Sequence, residues 1–256
     1  DKAVLEAVAP LKDGEPAAQP VKEGEKWAVV WRRQTMAAVD RSLDSEAAGT
    51  VAAATLYNPA GVKFLDGKLV VTDFSAHRVS IWNVVPTTNY APADVILGQP
   101  TDATIAANQG GLSAASMSTP VDAEWDGTRF YVADSNNNRV LVWNGFPSST
   151  GQPADLVLGQ PDFVTATANT GGLSAASLSL PDGMAFGGGR HFVSDRGNAR
   201  ILAYDVSSGL TPRQPAALVL GRPDFVTGPA GSASDRDFGN YYGHLAVSGT
   251  RLLATD

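Results

Sequence analysis

The chain has 256 residues, with 19 Lys and Arg against 26 Asp and Glu and a formal net charge of −7. That acidic balance disfavours a nucleic-acid partner, because phosphate neutralisation draws on a surplus of Lys and Arg. The lack of cysteine excludes disulfides, Cys-ligated zinc and a thiol nucleophile, and no apolar run approaches the roughly 18 residues of a membrane-spanning helix.

From the N-terminus, Lys2 to Val8 suits either a strand or, through Val4, Leu5, Val8 and Leu11, one face of a helix. Trp27 to Trp31 reads as a strand, and residues 35–57 as a long connection. Four strand segments follow at 61–66, 69–73, 78–82 and 94–98. They recur at 121–125, 129–134, 139–143 and 155–159, and again at 182–186, 190–195, 200–204 and 217–221. Each is a β-branched or aromatic run bounded by Gly, Asn, Asp or Pro. A last copy begins at Gly243 and stops at Asp256.

The recurrence keeps a step of 61 residues at Asp73, Asp134, Asp195 and Asp256, and also at Arg78, Arg139 and Arg200. Pro59, Pro120 and Pro181 keep it too. Such a period marks one supersecondary unit copied along the chain. Four antiparallel strands per copy, repeated around an axis, make the blades of an all-β propeller. The spacing predicts one domain over 1–256. It comprises a partial blade and connection at 1–57, units at 58–117, 118–178 and 179–240, and a partial blade at 241–256. The two partial blades are complementary, which predicts a four-bladed ring closed by a composite blade; the alternative is a fragment of a six-bladed propeller.

The motifs Pro59-Ala60-Gly61-Val62, Thr72-Asp73 with His77-Arg78-Val79, and Asp134-Ser135-Asn136-Asn137-Asn138-Arg139 resemble NHL repeats. Asp195-Arg196-Gly197-Asn198-Ala199-Arg200 is the third such copy. Leu158-Gly159-Gln160-Pro161-Asp162-Phe163 resembles the closing motif of a subgroup common in exported bacterial proteins. The resemblance covers about residues 50–256. It implies a propeller that serves as a binding scaffold for proteins, RNA or sugars. A minority of related propellers are metal-dependent enzymes, such as amidating lyases and gluconolactonase-like hydrolases.

Residues that keep the period read as framework, including the Asp/Arg pairs and the 20-residue connections with Gly110-Gly111-Leu112-Ser113 and Gly171-Gly172-Leu173-Ser174. Asn136 to Asn138 suit left-handed turn geometry better than calcium ligation. His77 and His191 read as ordinary turn and strand residues. Function is expected where copies differ: Gly61, Asp122, Gly183 and His244 in one column, Lys63, Glu124, Ala185 and Ala246 two residues later. Alternation places both columns on one side of the innermost strands. Lys63, Asp122, Glu124 and His244 are therefore the candidate ligand-binding residues near the axis. His244, Asp122 and Glu124 are the candidate ligands of a divalent metal ion in the axial channel; a solvated channel lined with polar side chains, or a Lys63–Glu124 ion pair, is the plainer reading. The expectation is a non-enzymatic, extracytoplasmic scaffold for a protein or glycan, without a cofactor; the alternative is a metal-dependent hydrolase or lyase. An acidic, Ala/Ser/Thr/Gly-rich chain beginning at Asp1 reads as a processed bacterial export or a fragment.

Overall fold

The computed structural model describes residues 51–229 and 243–254, and the two short strands β1 (Val21–Glu23) and β2 (Lys26–Ala28). The chain divides into two compact units, Asp1–Gly49 and Thr50–Asp256. In the first, β1 pairs antiparallel with β2. The remainder of the expected Trp27–Trp31 strand, the Lys2–Val8 segment and most of the 35–57 connection lie outside the described residues, as does Asp256.

The second unit is a β-propeller array. Its first blade is β3 (Pro59–Leu65), β4 (Lys68–Asp73), β5 (Arg78–Trp82) and β6 (Val95–Leu97). The second is β7 (Pro120–Trp125), β8 (Phe130–Asp134), β9 (Arg139–Trp143) and β10 (Leu156–Leu158). The third is β11 (Pro181–Gly187), β12 (Arg190–Asp195), β13 (Arg200–Asp205) and β14 (Leu218–Leu220). A hairpin of β15 (Leu245–Ser248) and β16 (Arg251–Ala254) begins the next copy. Every pairing is antiparallel, and β3, β7 and β11 each carry a bulge just after the repeated proline. Proline lacks the N–H that an unbroken ladder would use there.

Innermost strands β3, β7, β11 and β15 are successive neighbours, which defines the axial side. Blades pack face to face. Val70, Val79, Ile81 and Leu97 of the first blade meet Phe130, Val132, Leu141 and Trp143 of the second. Tyr131, Val140, Val142 and Leu158 on the other side of that blade meet Met184, Val193, Leu202 and Tyr204 of the third. The second blade is thus buried on both faces, which accounts for its near-continuous apolar strands. Val62 and Phe64 of β3 are 69% and 63% exposed. They lie on the far side of the first blade, and no described strand of this unit covers that side.

The Asp/Arg framework is explicit. Asp134 accepts hydrogen bonds from Ser118 N (2.7 Å), Asn137 Nδ2 (2.7 Å) and Arg139 Nε (2.8 Å). Arg139 then donates through Nη1 to Phe163 O, and through Nη2 to Ser113 O and Ser116 O. One buried guanidinium therefore pins the long connection before its blade and the one after it. Asp195 and Arg200 repeat the pattern on Ser174 O, Ser177 O and Phe225 O. The first copy differs because Ala76 replaces Asn137 and Asn198. Asp73 accepts from Tyr57 N, the counterpart of Ser118 N, and from Asn58 N and Ala76 N, and Arg78 Nε has no partner although Nη1 and Nη2 hold Asp102 O, Ala52 O and Thr55 O. Asn138 is in the left-handed region (φ 53°), as expected of the turn.

Candidate functional site

Three of the four candidate residues meet. Lys63 Nζ lies 3.0 Å from Asp122 and 3.0 Å from Glu124, and donates to Met184 O at 3.3 Å. Asp122 Oδ2 also accepts Met184 N at 2.7 Å. Lys63 of the first blade and Asp122 of the second thus both engage the backbone of the third, while Glu124 holds Lys63 and the Trp125 N–H. The side chains are 26%, 3% and 16% exposed for Lys63, Asp122 and Glu124. They lie where the innermost strands of the first three blades approach one another. Alternation correctly gave both columns one side, but that side faces the next blade.

The reason Asp122 can do this lies in its column. A Cβ on Gly61 would press on Thr72 Oγ1 and Val121 O, and one on Gly183 would run into the Gly243 carbonyl. Neighbouring innermost strands are close at those glycines. At Asp122 a carboxylate fills the position and reaches the next strand's N–H.

Burial by itself would lower the Lys63 pKa, but Asp122 and Glu124 outweigh it and hold it above its ordinary value. The stability gained is fully present below the unfolded-state pKa and is lost as pH rises through the higher folded-state value. Lys63→Met will lower the unfolding free energy by about 1–3 kcal/mol at neutral pH, because two poorly hydrated carboxylates lose their cation. Urea titration of both proteins measures it; an unchanged midpoint and slope would show that the tie contributes nothing.

His244 is exposed and acts electrostatically on Asp182, which pairs with Arg196 at 3.2 Å. Burial pushes the Asp182 carboxyl up, against the pull of Arg196 and His244. Asp182 and Arg196 were overlooked in the sequence, although both depart from their columns (Ala60, Val121, Asp182, Gly243 and Phe74, Ser135, Arg196). Among the described residues no three His, Asp or Glu side chains are placed to hold a metal ion. Of the expected set of His244, Asp122 and Glu124, both carboxylates hold the Lys63 ammonium.

His77 does more than occupy a turn. Its Nδ1 accepts the Thr119 N–H at 2.9 Å, as Asn138 Oδ1 accepts Leu180 N in the next copy. Both hold the following blade by its entry. Desolvation lowers the His77 pKa, against Asp134 and Asp73, favouring the neutral acceptor form.

No family model and no curated protein matches the chain. Among solved structures it is similar to apo AztD from Citrobacter koseri, with 8% identity over 86% of this chain and 42% of that one, and a TM-score of 0.36. It is also similar to the computationally designed Ika8 protein, with 14% identity, 77% and 54% coverage and a TM-score of 0.37. A third is selenomethionine-substituted virginiamycin B lyase from Staphylococcus aureus, with 15% identity, 78% and 70% coverage and a TM-score of 0.35. The chain therefore spans 42% and 54% of the first two proteins. These likenesses are too distant to bear on chemistry, and the propeller assignment rests on the blades themselves.

Proposed function

We propose that the chain is a non-enzymatic binding scaffold of the NHL-repeat kind, exported from a bacterial cell, that presents its long inter-blade connections to a protein or glycan. The observation that carries this reading is the Lys63–Asp122–Glu124 joint. The polar residues that most clearly break the repeat bind each other and the third blade, so their chemistry is cohesive. The connections, in contrast, combine rigid roots with outward tips. Arg139 and Arg200 fix the roots, while Val164 and Val226 stand 68% and 67% exposed at matching positions. Asp162 Oδ1 accepts Val164 N at 3.0 Å and Asp224 Oδ1 accepts Val226 N at 2.9 Å, which holds each tip in a fixed turn. Preformed apolar tips bind without a large ordering cost.

Two measurements test this. A divalent-metal chelator will leave the melting temperature unchanged, and Val164→Asp/Val226→Asp will fold normally but lose a partner that the parent protein retains from extracytoplasmic extract. One equivalent of tightly held metal, with a melting temperature that falls on its removal, would overturn the reading in favour of a metal-dependent hydrolase or lyase.

A further inference from the structure

A basic residue stands at or just before the start of the second strand of every copy: Lys68, Arg129, Arg190 and Arg251. In the first two copies the charge is engaged locally. Lys68 Nζ lies 5.1 Å from the centre of the Phe146 ring, and Arg129 Nη1 lies 3.5 Å from Asp126. Asp126 also accepts the Tyr131 hydroxyl at 2.6 Å, so that corner is filled. One and two repeats later, Asp126 is replaced by Gly187 and Ser248. The counter-ion is gone, and so is the side chain that filled the corner.

A cavity of about 280 Å³ lies there, between the tip of the β11–β12 hairpin and the tip of the β15–β16 hairpin. Arg190 and Arg251 line it, together with Phe192, Val247 and Leu252. Neither guanidinium makes a hydrogen bond or ion pair within 4 Å among the described residues, and Asp205 acts on Arg190 only at longer range. The apolar wall is built in: Phe192, Val247 and Leu252 pack against the buried cluster of Ala185, Ile201 and Leu245. A Cβ on Gly187 would run into Val247, so glycine is what lets the two hairpins approach.

We propose that this cavity binds a small organic anion. Its carboxylate sits between Arg190 and Arg251, and its apolar body lies against Phe192, Val247 and Leu252. Guanidinium forks match carboxylate geometry and keep their charge at any physiological pH. The volume is at the lower end of ligand cavities, which run from roughly 300 Å³ upwards, so the ligand is small. The site is independent of the connection tips, since it lies at the strand 1–2 hairpins and draws on none of their residues.

The test is calorimetric titration of the full chain with 3-phenylpropionate and with its neutral counterpart 3-phenylpropanol. The acid is expected to saturate with a Kd at or below about 1 mM, and the alcohol to bind at least about tenfold more weakly. Arg190→Gln/Arg251→Gln should raise the Kd of the acid about tenfold and leave the alcohol unaffected. Absence of saturable binding, equal binding of the alcohol, or unchanged binding by the double variant overturns the proposal. Should the variant not fold, the parent protein decides it. The affinity for the acid must fall with added salt while that for the alcohol holds, and a flat response for the acid overturns the site.

Discussion

Asp134→Ala will cost the second blade about 3–5 kcal/mol, the largest loss expected from any single substitution in the framework. The carboxylate is fully buried and accepts three hydrogen bonds, one of them from Arg139 Nε. Removing it leaves a guanidinium at 0% exposure with its charge uncompensated, while Nη1 and Nη2 stay committed to three backbone carbonyls. Replacing both partners by apolar groups, as in Asp134→Leu/Arg139→Met, should be milder than the sum of the two single changes, because no orphaned charge remains. Asp73→Ala gives the internal control. Asp73 takes backbone N–H groups and is not bonded to Arg78, so its loss should be smaller, about 1–3 kcal/mol. Equilibrium urea denaturation of these three variants and of the single changes Asp134→Leu and Arg139→Met measures the losses. Equal losses at Asp73 and Asp134 would contradict this account of the framework.

The period makes this framework legible in the sequence. A buried ion pair that anchors a connection must be rebuilt in each blade, so it keeps the 61-residue step. The step could not report that Asp73 and Arg78 part company, because the cause is a third residue, Ala76 in place of Asn137. Alternation along β3, β7 and β11 likewise told which side chains share a side. It could not tell whether that side opened on a channel or on the next blade, since strand spacing around an axis is a tertiary quantity. Lys63, Asp122 and Glu124 were therefore found, but their burial was not. Arg190 and Arg251 were missed for the opposite reason. A basic residue in every copy looks like framework, and the change that frees these two sits in a different column, at Gly187 and Ser248. Departures from a repeat are best read in pairs of columns that touch.

His191→Phe will stabilise the protein by about 1–3 kcal/mol at neutral pH and will flatten its loss of stability in acid. The His191 ring is fully buried and stacks on Tyr131, with ring centres 4.0 Å apart. Both of its nitrogens lack a hydrogen-bond partner. Phe186 and Tyr204 flank it across the sheet, and Phe130 holds the same place in the second blade, so phenylalanine suits the site. Burial pushes the imidazole pKa down from 6.5 to about 3; the Asp126 charge pulls it up and Lys63 pushes it further down. The folded pKa is thus below the unfolded one. Its contribution is intact above pH 6.5 and falls away as pH drops from there toward 3, because the unfolded chain takes up a proton that the folded chain refuses. Between pH 6.5 and 4.5 this amounts to roughly 2–3 kcal/mol, at about 1.4 kcal/mol per unit. His77 titrates in the same direction, since protonation would turn its Nδ1 acceptor into a donor facing the Thr119 N–H. His77→Asn installs the residue that does this work as Asn138 and is expected to remove that share. Unfolding free energies of the parent, His191→Phe and His77→Asn/His191→Phe proteins between pH 7.5 and 4.5 should therefore show three successively shallower slopes. A His191→Phe protein with the parent's slope would mean that His191 is not the buried neutral imidazole the stacking geometry makes it.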